Sequence, residues 1–373
     1  MAETLNLEQI KGALAELGWT QRELAKAIGV SPQTITNWMR AKDFPRPAAL
    51  LKLSRALGRD FEQLVVSDVP EPVIAFRRKG ATKTKLEHFE KAKHMGFLLR
   101  PLVPHLSASL DLDQTIFRSP SCDYDNIQAL AASRREALGL GQSVRLEYSH
   151  LVKEFGENSA LLVPVIWGAT NRHENALHIL LPSDNITFVY LNLDIRVEDF
   201  KFMMAHELAH IFTPALCGKD EGEDFADAFA GALLFPKELA ESTHKKCSGK
   251  SSNDALAILQ RAASEHQVSL FTVFTQVNAY RERYGCGALP VVATTIHKVR
   301  NSNPAKLVSE LLWKGEMPGP ELYIQTVHSQ FNSSFFDALK LLLNSGSGGI
   351  GYIQQILDIS RADASAIHAV LMH

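Results

Sequence analysis

Two helix-start signals separated by one glycine constrain the N-terminal part of this chain more than any other feature. Thr20 is followed three residues later by Glu23, a spacing in which each side chain caps the other's backbone N–H in the first helical turn. Ser31 and the proline after it form a second start signal, because serine caps helices and proline suits the first helical position. Gly29 lies between the signals and can adopt the positive φ of a sharp turn. The sequence therefore predicts two helices joined by a tight turn.

Apolar residues at helical spacing extend this pattern over residues 1–66 and predict a domain of five short helices. In the two-helix motif, Ala25 is small enough for the helices to cross closely. Larger apolar side chains are expected to fill the core between them, namely Leu24, Ile28, Val30, Ile35 and Trp38. Together with Gln21, Gly29 and Ser31, these residues resemble the Cro/CI-type (XRE) helix-turn-helix family.

The resemblance implies that the second helix of the motif enters the major groove of duplex DNA. Gln33 and Asn37 are the candidates for base recognition, because an amide side chain can form two hydrogen bonds with adenine. The remaining candidates for DNA contacts are Gln21, Thr34, Arg40 and Lys42. We expect a double-stranded DNA operator as the partner and a homodimer as the binding form. The alternative is a helical bundle that binds only protein.

The overall charge neither demands nor excludes a nucleic-acid partner. The 373 residues include 39 basic and 41 acidic side chains, so DNA would have to be held by local patches. No apolar stretch approaches the ~18 residues of a transmembrane helix, and the N-terminus lacks a signal-peptide pattern. Four scattered cysteines without a C-x-x-C pair argue against a disulfide framework. We therefore expect a cytoplasmic protein that does not bind membranes.

Changes in composition divide the chain into four segments. The helical pattern of residues 1–66 ends where proline and acidic residues become frequent. We interpret residues 67–122 as a linker and helical connector, which includes the basic stretch Phe76–Leu86. Residues 123–286 form the next predicted domain, and residues 287–373 are predicted to form a helical C-terminal domain.

Three short apolar runs interrupt the helical patterning in the third segment. They begin at Leu161, Ala176 and Ile186 and predict three antiparallel strands. A further run, VVATTI from Val291, predicts an edge strand. The predicted fold class is therefore α+β and mostly helical, with a small antiparallel sheet.

The segment Phe202–Phe212 contains the string H-E-x-x-H within an apolar, helical run. His206 and His210 are about one helical turn apart on the same face, so both imidazoles can bind one metal ion. Glu207 is directed toward the same cavity and can accept a proton from metal-activated water without binding the metal. The alternative is a core helix whose two histidines are hydrogen-bonded inside the protein.

A catalytic zinc site needs a third protein ligand and an open position for water. Glu223, at the start of the helical run EDFADAFAGALLFP, is our candidate, with Glu221 and Asp227 as fallbacks. Asp227 is also placed to accept a hydrogen bond from a histidine ligand. Acidic residues in a first helical turn are favoured by the helix dipole even without a metal. We expect zinc at this site, with manganese as the alternative.

The order of these motifs resembles the ImmA/IrrE family of metallopeptidases. A strand-rich segment precedes the H-E-x-x-H helix, and a variable loop then leads to Glu223, Ala226, Asp227, Phe229, Ala230, Leu233, Leu234 and Pro236. The resemblance spans roughly residues 125–285 and implies a zincin-like endopeptidase domain that cleaves helix-turn-helix repressors in stress or mobile-element responses. Asp227 and Phe235 replace the family's usual Asn and Met, and neither change removes a metal ligand.

These features together predict a DNA-binding transcriptional regulator with a zinc-dependent endopeptidase domain. Glu207 would act as general base beside a zinc ion bound by His206, His210 and Glu223. The expected protein substrate is a helix-turn-helix repressor, or the chain's own connector between residues 77 and 85. The alternative is a non-proteolytic repressor or antitoxin that uses the peptidase fold as a metal sensor or interaction scaffold.

Spacing does not single out a residue that would stabilise the transition state of peptide hydrolysis. The candidates within the domain are Arg172, His173, His178, Tyr190 and His244. Cys217 lies in the loop between the two ligand-bearing helices and is a candidate for an inhibitory fourth ligand.

Overall fold

The computed structural model describes residues 4–40, 42–66, 70–76, 86–106, 114–167, 176–302 and 306–373. The chain divides into two compact units, residues 1–70 and residues 71–373, and each is treated by itself here. Two sets of predicted residues lie outside the described ranges: most of the basic connector, including residues 77–85, and the candidates Arg172 and His173. No helix of the described chain is both long and apolar enough to span a membrane.

The first unit consists of five helices and a two-stranded antiparallel sheet, which confirms the predicted helix number. The strands are β1 (Thr4–Leu5) and β2 (Val65–Val66), and the helices are α1 (Leu7–Leu17), α2 (Gln21–Ile28), α3 (Pro32–Met39), α4 (Pro47–Leu57) and α5 (Phe61–Leu64). The predicted core side chains Leu24, Ile28 and Ile35 are almost fully buried.

The turn between α2 and α3 forms as the sequence predicts. The backbone N–H of Thr20 donates to the Glu23 carboxylate at 2.6 Å, and the N–H of Glu23 donates to the Thr20 hydroxyl at 3.3 Å. Gly29 has a φ of 72°, in the left-handed region that glycine adopts at low cost. The Ser31 hydroxyl then accepts from the backbone N–H of Thr34 at 3.1 Å and caps α3. These local bonds fix the angle at which α3 is presented.

The second unit places a four-stranded sheet among many helices. Its strands are β3 (Val73–Phe76), β4 (Ala160–Val165), β5 (Ala176–Leu181) and β6 (Ile186–Asn192). Its helices between residues 86 and 284 are α6 (Leu86–Leu99), α7 (Tyr124–Ala137), α8 (Tyr148–Glu157), α9 (Val197–Phe212), α10 (Asp220–Leu234), α11 (Lys237–Cys247), α12 (Ser252–His266) and α13 (Leu270–Tyr284). The C-terminal helices are α14 (Ala293–Ser302), α15 (Val308–Trp313), α16 (Pro320–Phe331), α17 (Phe335–Asn344), α18 (Ile350–Leu357) and α19 (Arg361–Met372).

The prediction of a small antiparallel sheet is wrong in two respects. The strand order is β3-β5-β6-β4, and β4 pairs in parallel with β6, so the sheet is mixed. The sheet also contains β3, a fourth strand that comes from the connector. Every residue of β4 and β6 is buried, and a strand buried on both faces carries no pattern that reveals its direction.

Strand β5 shows how the sheet separates two helical layers. Neighbouring residues of a strand point to opposite faces. His178 lies on the face where its ring approaches Glu207 of α9, at 3.6 Å between Nδ1 and Oε2. Ile179 lies on the other face, where its Cγ2 would be 3.1 Å from a Cβ built on Gly96 of α6. The sheet therefore lies between α9 and α6.

The C-terminal helices pack against the sheet within the same hydrophobic core. The Tyr190 hydroxyl donates to the carbonyl oxygen of Ile356 at 2.7 Å, and the indole N–H of Trp167 donates to that of Leu357 at 3.0 Å. The predicted boundaries near residues 122 and 286 therefore do not coincide with gaps in packing. The predicted edge strand at Val291 is wrong, because helix α14 begins at Ala293.

Buried polar groups fix the position of α9, the helix that carries the H-E-x-x-H string. Lys201 is fully buried, and its ammonium group donates to the carbonyl oxygens of Leu146 at 2.7 Å and His266 at 3.2 Å. Burial lowers the pKa of Lys201 to about 8. Near the other end of α9, the guanidinium carbon of Arg134 lies 5.2 Å from the Phe212 ring centroid. These contacts restrict both ends of the helix.

Candidate functional site

Helix α9 brings two histidines together on one buried face. His206 and His210 are four residues apart, and their Nε2 atoms are 3.2 Å from each other. Each side chain is only 1% exposed, so neither is a surface histidine. Two imidazole nitrogens this close and this buried are two corners of a group that could bind a metal ion.

The third corner comes from the first turn of α10. The Glu223 carboxylate lies 3.5 Å from His206 Nε2 and 3.4 Å from His210 Nε2. Gly222 makes this approach possible, because a Cβ built on it would lie 2.2 Å from the carbonyl oxygen of Leu216 in the preceding loop. The structure thus brings together the three residues that the sequence proposed as ligands.

The spacing of these three side chains fits a tetrahedral zinc ion. Ligand atoms at about 2.0–2.1 Å from a tetrahedral metal are about 3.3–3.4 Å apart. The two Nε2 atoms are 3.2 Å apart, Glu223 Oε1 lies 3.4 Å from His210 Nε2, and Glu223 Oε2 lies 3.5 Å from His206 Nε2. A neutral imidazole pair with one carboxylate is also a donor set that zinc commonly accepts.

Asp227 contacts the back of the histidine ring and lies outside the three-residue group. Its Oδ1 is 2.9 Å from His206 Nδ1, the nitrogen on the side of the ring opposite Glu223. A carboxylate in this position fixes the tautomer, so that the Nε2 lone pair faces the metal position. Of the two fallback ligands, neither Asp227 nor Glu221 belongs to the metal-binding group of the described residues.

The charge of Glu223 is strongly stabilised by its neighbours. Burial raises its pKa, but hydrogen bonds and charges from His206 and His210 outweigh burial and lower the pKa to about 2. The carboxylate is therefore ionised at neutral pH, as metal binding requires.

Glu207 lies beside the three-residue group without belonging to it. The side chain is 1% exposed, and neither carboxylate oxygen has a hydrogen-bond partner among the residues that the structure describes. Burial raises its pKa, but His178 and the charges of His210 and His206 outweigh burial and lower it. A buried, ionised carboxylate without donors is costly in a folded protein. Because the carboxylate is ionised, it has a lone pair that can accept a proton.

His178 is the residue of the site that sequence reasoning did not single out. It was one of five undistinguished candidates, yet its ring lies between Glu207 and His210, with the centroids of the two histidine rings 5.7 Å apart. Burial lowers the pKa of His178 and favours the neutral imidazole. The available signal was a histidine inside the otherwise apolar strand ALHILL, where a polar side chain needs a buried partner.

The other described candidates have structural roles or lie outside the group. The Tyr190 hydroxyl donates a hydrogen bond to the Ile356 carbonyl oxygen, and His244 Nε2 lies 2.9 Å from the carbonyl oxygen of Gly287. Cys217 is buried but is not part of the metal-binding group of the described residues. Burial and the charges of Glu207 and Glu223 raise the pKa of its thiol, which opposes a thiolate ligand.

In the first unit, helix α3 presents two amide side chains one turn apart. The amide nitrogen of Gln33 donates to the Asn37 side-chain oxygen at 3.0 Å. Gln33 is exposed and Asn37 is half-buried, and this bond restricts the rotamers of both. The four remaining candidates are also at least partly accessible, namely Gln21, Thr34, Arg40 and Lys42.

Comparison with known proteins identifies the first unit. Residues 10–64 match a family described as helix-turn-helix. None of the curated proteins compared with the chain matches it. The family match, together with the α2-turn-α3 geometry, supports a DNA-binding transcription regulator.

We predict that the α3 amides determine operator sequence. Gln33→Ala or Asn37→Ala should weaken binding to the preferred duplex by about 1–3 kcal/mol and leave nonspecific binding nearly unchanged. The preferred duplex is first selected from random sequences, and affinities are then measured at fixed salt. Gln9→Ala, which removes an exposed amide from α1, is the matched control. A selection that enriches no sequence would contradict the prediction.

We also predict that the purified chain binds about one zinc ion through the three-residue group. His210→Ala should abolish binding because two protein ligands remain, whereas Glu207→Gln should retain the metal because Glu207 is not a ligand. His244→Ala removes a buried histidine from outside the group and should retain the metal. Elemental analysis after dialysis measures the metal content of all four proteins. Equal zinc in the wild type and His210→Ala would exclude the proposed ligand set.

Proposed function

We propose that this chain is a DNA-binding regulator whose second unit is a zinc-dependent endopeptidase of the ImmA/IrrE type. The observation that carries the proposal is the position of Glu207, whose buried carboxylate lies beside three potential ligands and lacks hydrogen-bond partners among the described residues. A metal site that served only structure or sensing would not need this carboxylate, and its burial would only cost stability. Hydrolysis requires such a base.

The chain's own residues divide the chemical work. His206, His210 and Glu223 would hold the zinc ion, and Asp227 would keep the His206 ring oriented. Zinc bound there would supply Lewis-acid chemistry, polarising a peptide carbonyl and acidifying water. Manganese is the alternative metal, since the same imidazole and carboxylate donors accept it with lower affinity.

Glu207 would move the proton that peptide hydrolysis requires. Its ionised carboxylate accepts a proton from the attacking water and then donates that proton to the departing amine nitrogen. His178 Nδ1 lies 3.6 Å from the carboxylate and would stabilise its charge when protonated. Exclusion of bulk water from a site where Glu207 and both histidines are 1% exposed strengthens these interactions.

The fused DNA-binding unit suggests a regulatory substrate. A peptide must be extended to cross a metal cleft, so a flexible segment of a partner repressor suits the site. Recruitment of enzyme and repressor to one operator would raise their effective concentration, and a homodimer would bring two peptidase units to each operator. The proposed substrate is therefore a DNA-bound helix-turn-helix repressor.

We predict that cleavage depends on Glu207. The wild type and Glu207→Gln are loaded with zinc or manganese and incubated with an extract of the source organism, with and without operator DNA. New protein N-termini are identified by mass spectrometry. Cleavage products should appear with the wild type and fall at least ~100-fold with Glu207→Gln, the usual scale for loss of a general base.

Glu241→Gln is the matched control, because Glu241 pairs with Lys245 on the surface of α11. Its products should equal those of the wild type. If the wild type yields no new N-terminus under any condition while zinc changes operator affinity, a metal-sensing repressor replaces the peptidase in this proposal.

A further inference from the structure

Strand β3 lies at a sheet edge beside the metal-binding group. Its four residues pair antiparallel with β5, in a register that sets Ala75 opposite His178. Directly opposed residues of an antiparallel pair share a face and have Cβ atoms about 4.5–5.5 Å apart. Ala75 is therefore on the face where His178 approaches Glu207 at 3.6 Å. The backbone of β3 passes next to the side chains that would perform the chemistry.

The loop between the two ligand-bearing helices covers β3 from another side. A Cβ built on Gly218 in that loop would lie 3.0 Å from the carbonyl oxygen of Ile74. Ile74 and Ala75 are 7% and 3% exposed. The extended segment thus occupies a groove formed by β5 and the α9–α10 loop, both of which border the metal-binding group.

We propose that β3 is an internal pseudo-substrate, which occupies the position on β5 where an extended peptide would pass Glu207. Extended peptides bind proteins by adding a strand to an available sheet edge, where main-chain hydrogen bonds supply affinity. One edge of β5 is paired with β6, and β3 pairs with the other. A peptide can pair with β5 only when β3 leaves. This inference rests on the proposed peptidase function for its consequence, which is autoinhibition.

The length and sequence of β3 are consistent with displacement. Four residues supply few main-chain hydrogen bonds, so little pairing has to be broken to release the strand. Pro72 immediately precedes the strand and packs closely on α6, since a Cβ built on Gly96 would be 2.6 Å from its ring atoms. The residue opposite His178 is alanine, and its described neighbours Val73 and Ile74 are apolar. A competing substrate should therefore be an extended apolar segment with a small residue at this position.

The test measures peptide binding separately from cleavage. The full chain carrying Glu207→Gln serves as the parent, and the probe is a fluorescently labelled peptide with the sequence of residues 70–76. Ala75→Pro removes a backbone N–H from β3 and disfavours its pairing. Ala75→Pro in the parent should bind the peptide at least ~10-fold more tightly by fluorescence anisotropy, which corresponds to ~1.4 kcal/mol. Amide exchange in residues 176–181 should become faster, while residues 186–192 stay protected.

Glu71→Pro is the matched control, because Glu71 lies outside the paired residues and already precedes a proline that restricts its backbone. Its ion pair with Lys93 at 2.6 Å is solvent-exposed, and such pairs contribute little. It should behave like the parent. If Ala75→Pro loses protection in residues 186–192, the same comparison is made with Ile74→Ala, which keeps every N–H and removes only apolar packing.

Two results would overturn the inference. One is a parent protein that binds the peptide as tightly as the strand variant, which would mean that β3 does not compete for the position. The other is a variant whose β5 amides exchange faster without any gain in peptide affinity, which would mean that this edge does not accept peptides. Both readouts are independent of cleavage, so failure of the peptidase proposal and failure of this inference are distinguishable.

Discussion

The close approach of α9 and α10 is the constraint on which the rest of the second unit depends. His206 and His210 come from one helix, but Glu223 joins them only because Gly222 lets α10 begin against the carbonyl oxygen of Leu216. Packing of α9 and α10 brings three potential ligand atoms close enough to bind one metal ion. The buried ammonium of Lys201 then fixes α9 along its axis by bonding two backbone carbonyls. The arrangement spends stability on buried polar groups, as functional sites commonly do.

The sheet has a second role besides supporting α9. Its strand β5 contributes His178 to the site, and we propose that an extended peptide would pair with its edge. The chain's own β3 pairs with that edge. Release of this strand would leave the edge of β5 open to a peptide, which would relieve the autoinhibition proposed above.

Local signals in the sequence predicted local structure, whereas tertiary pairing was beyond them. The Thr20–Glu23 box and Gly29 each act within a few residues, and both form as predicted. Strand β3 is a four-residue segment that becomes a strand only by pairing with β5, so it is too short for a hydrophobic periodicity to predict it. The β-branched run from Val291 becomes helical from Ala293 onward because strand propensity is weaker than packing, and Ile296 of that helix is fully buried. His178 was visible as a histidine in an apolar strand, but its approach to Glu207 depends on how α9 crosses the sheet.

The central claim is that one metal ion is bound by two imidazoles and one carboxylate from α9 and α10. X-ray absorption at the zinc edge, measured on the full chain with one equivalent of zinc, tests it most directly. We expect only nitrogen and oxygen ligands at about 2.0–2.1 Å, with the outer-shell scattering of two histidines. A sulfur ligand at about 2.3 Å, which Cys217 would supply, or scattering from fewer than two histidines would contradict it.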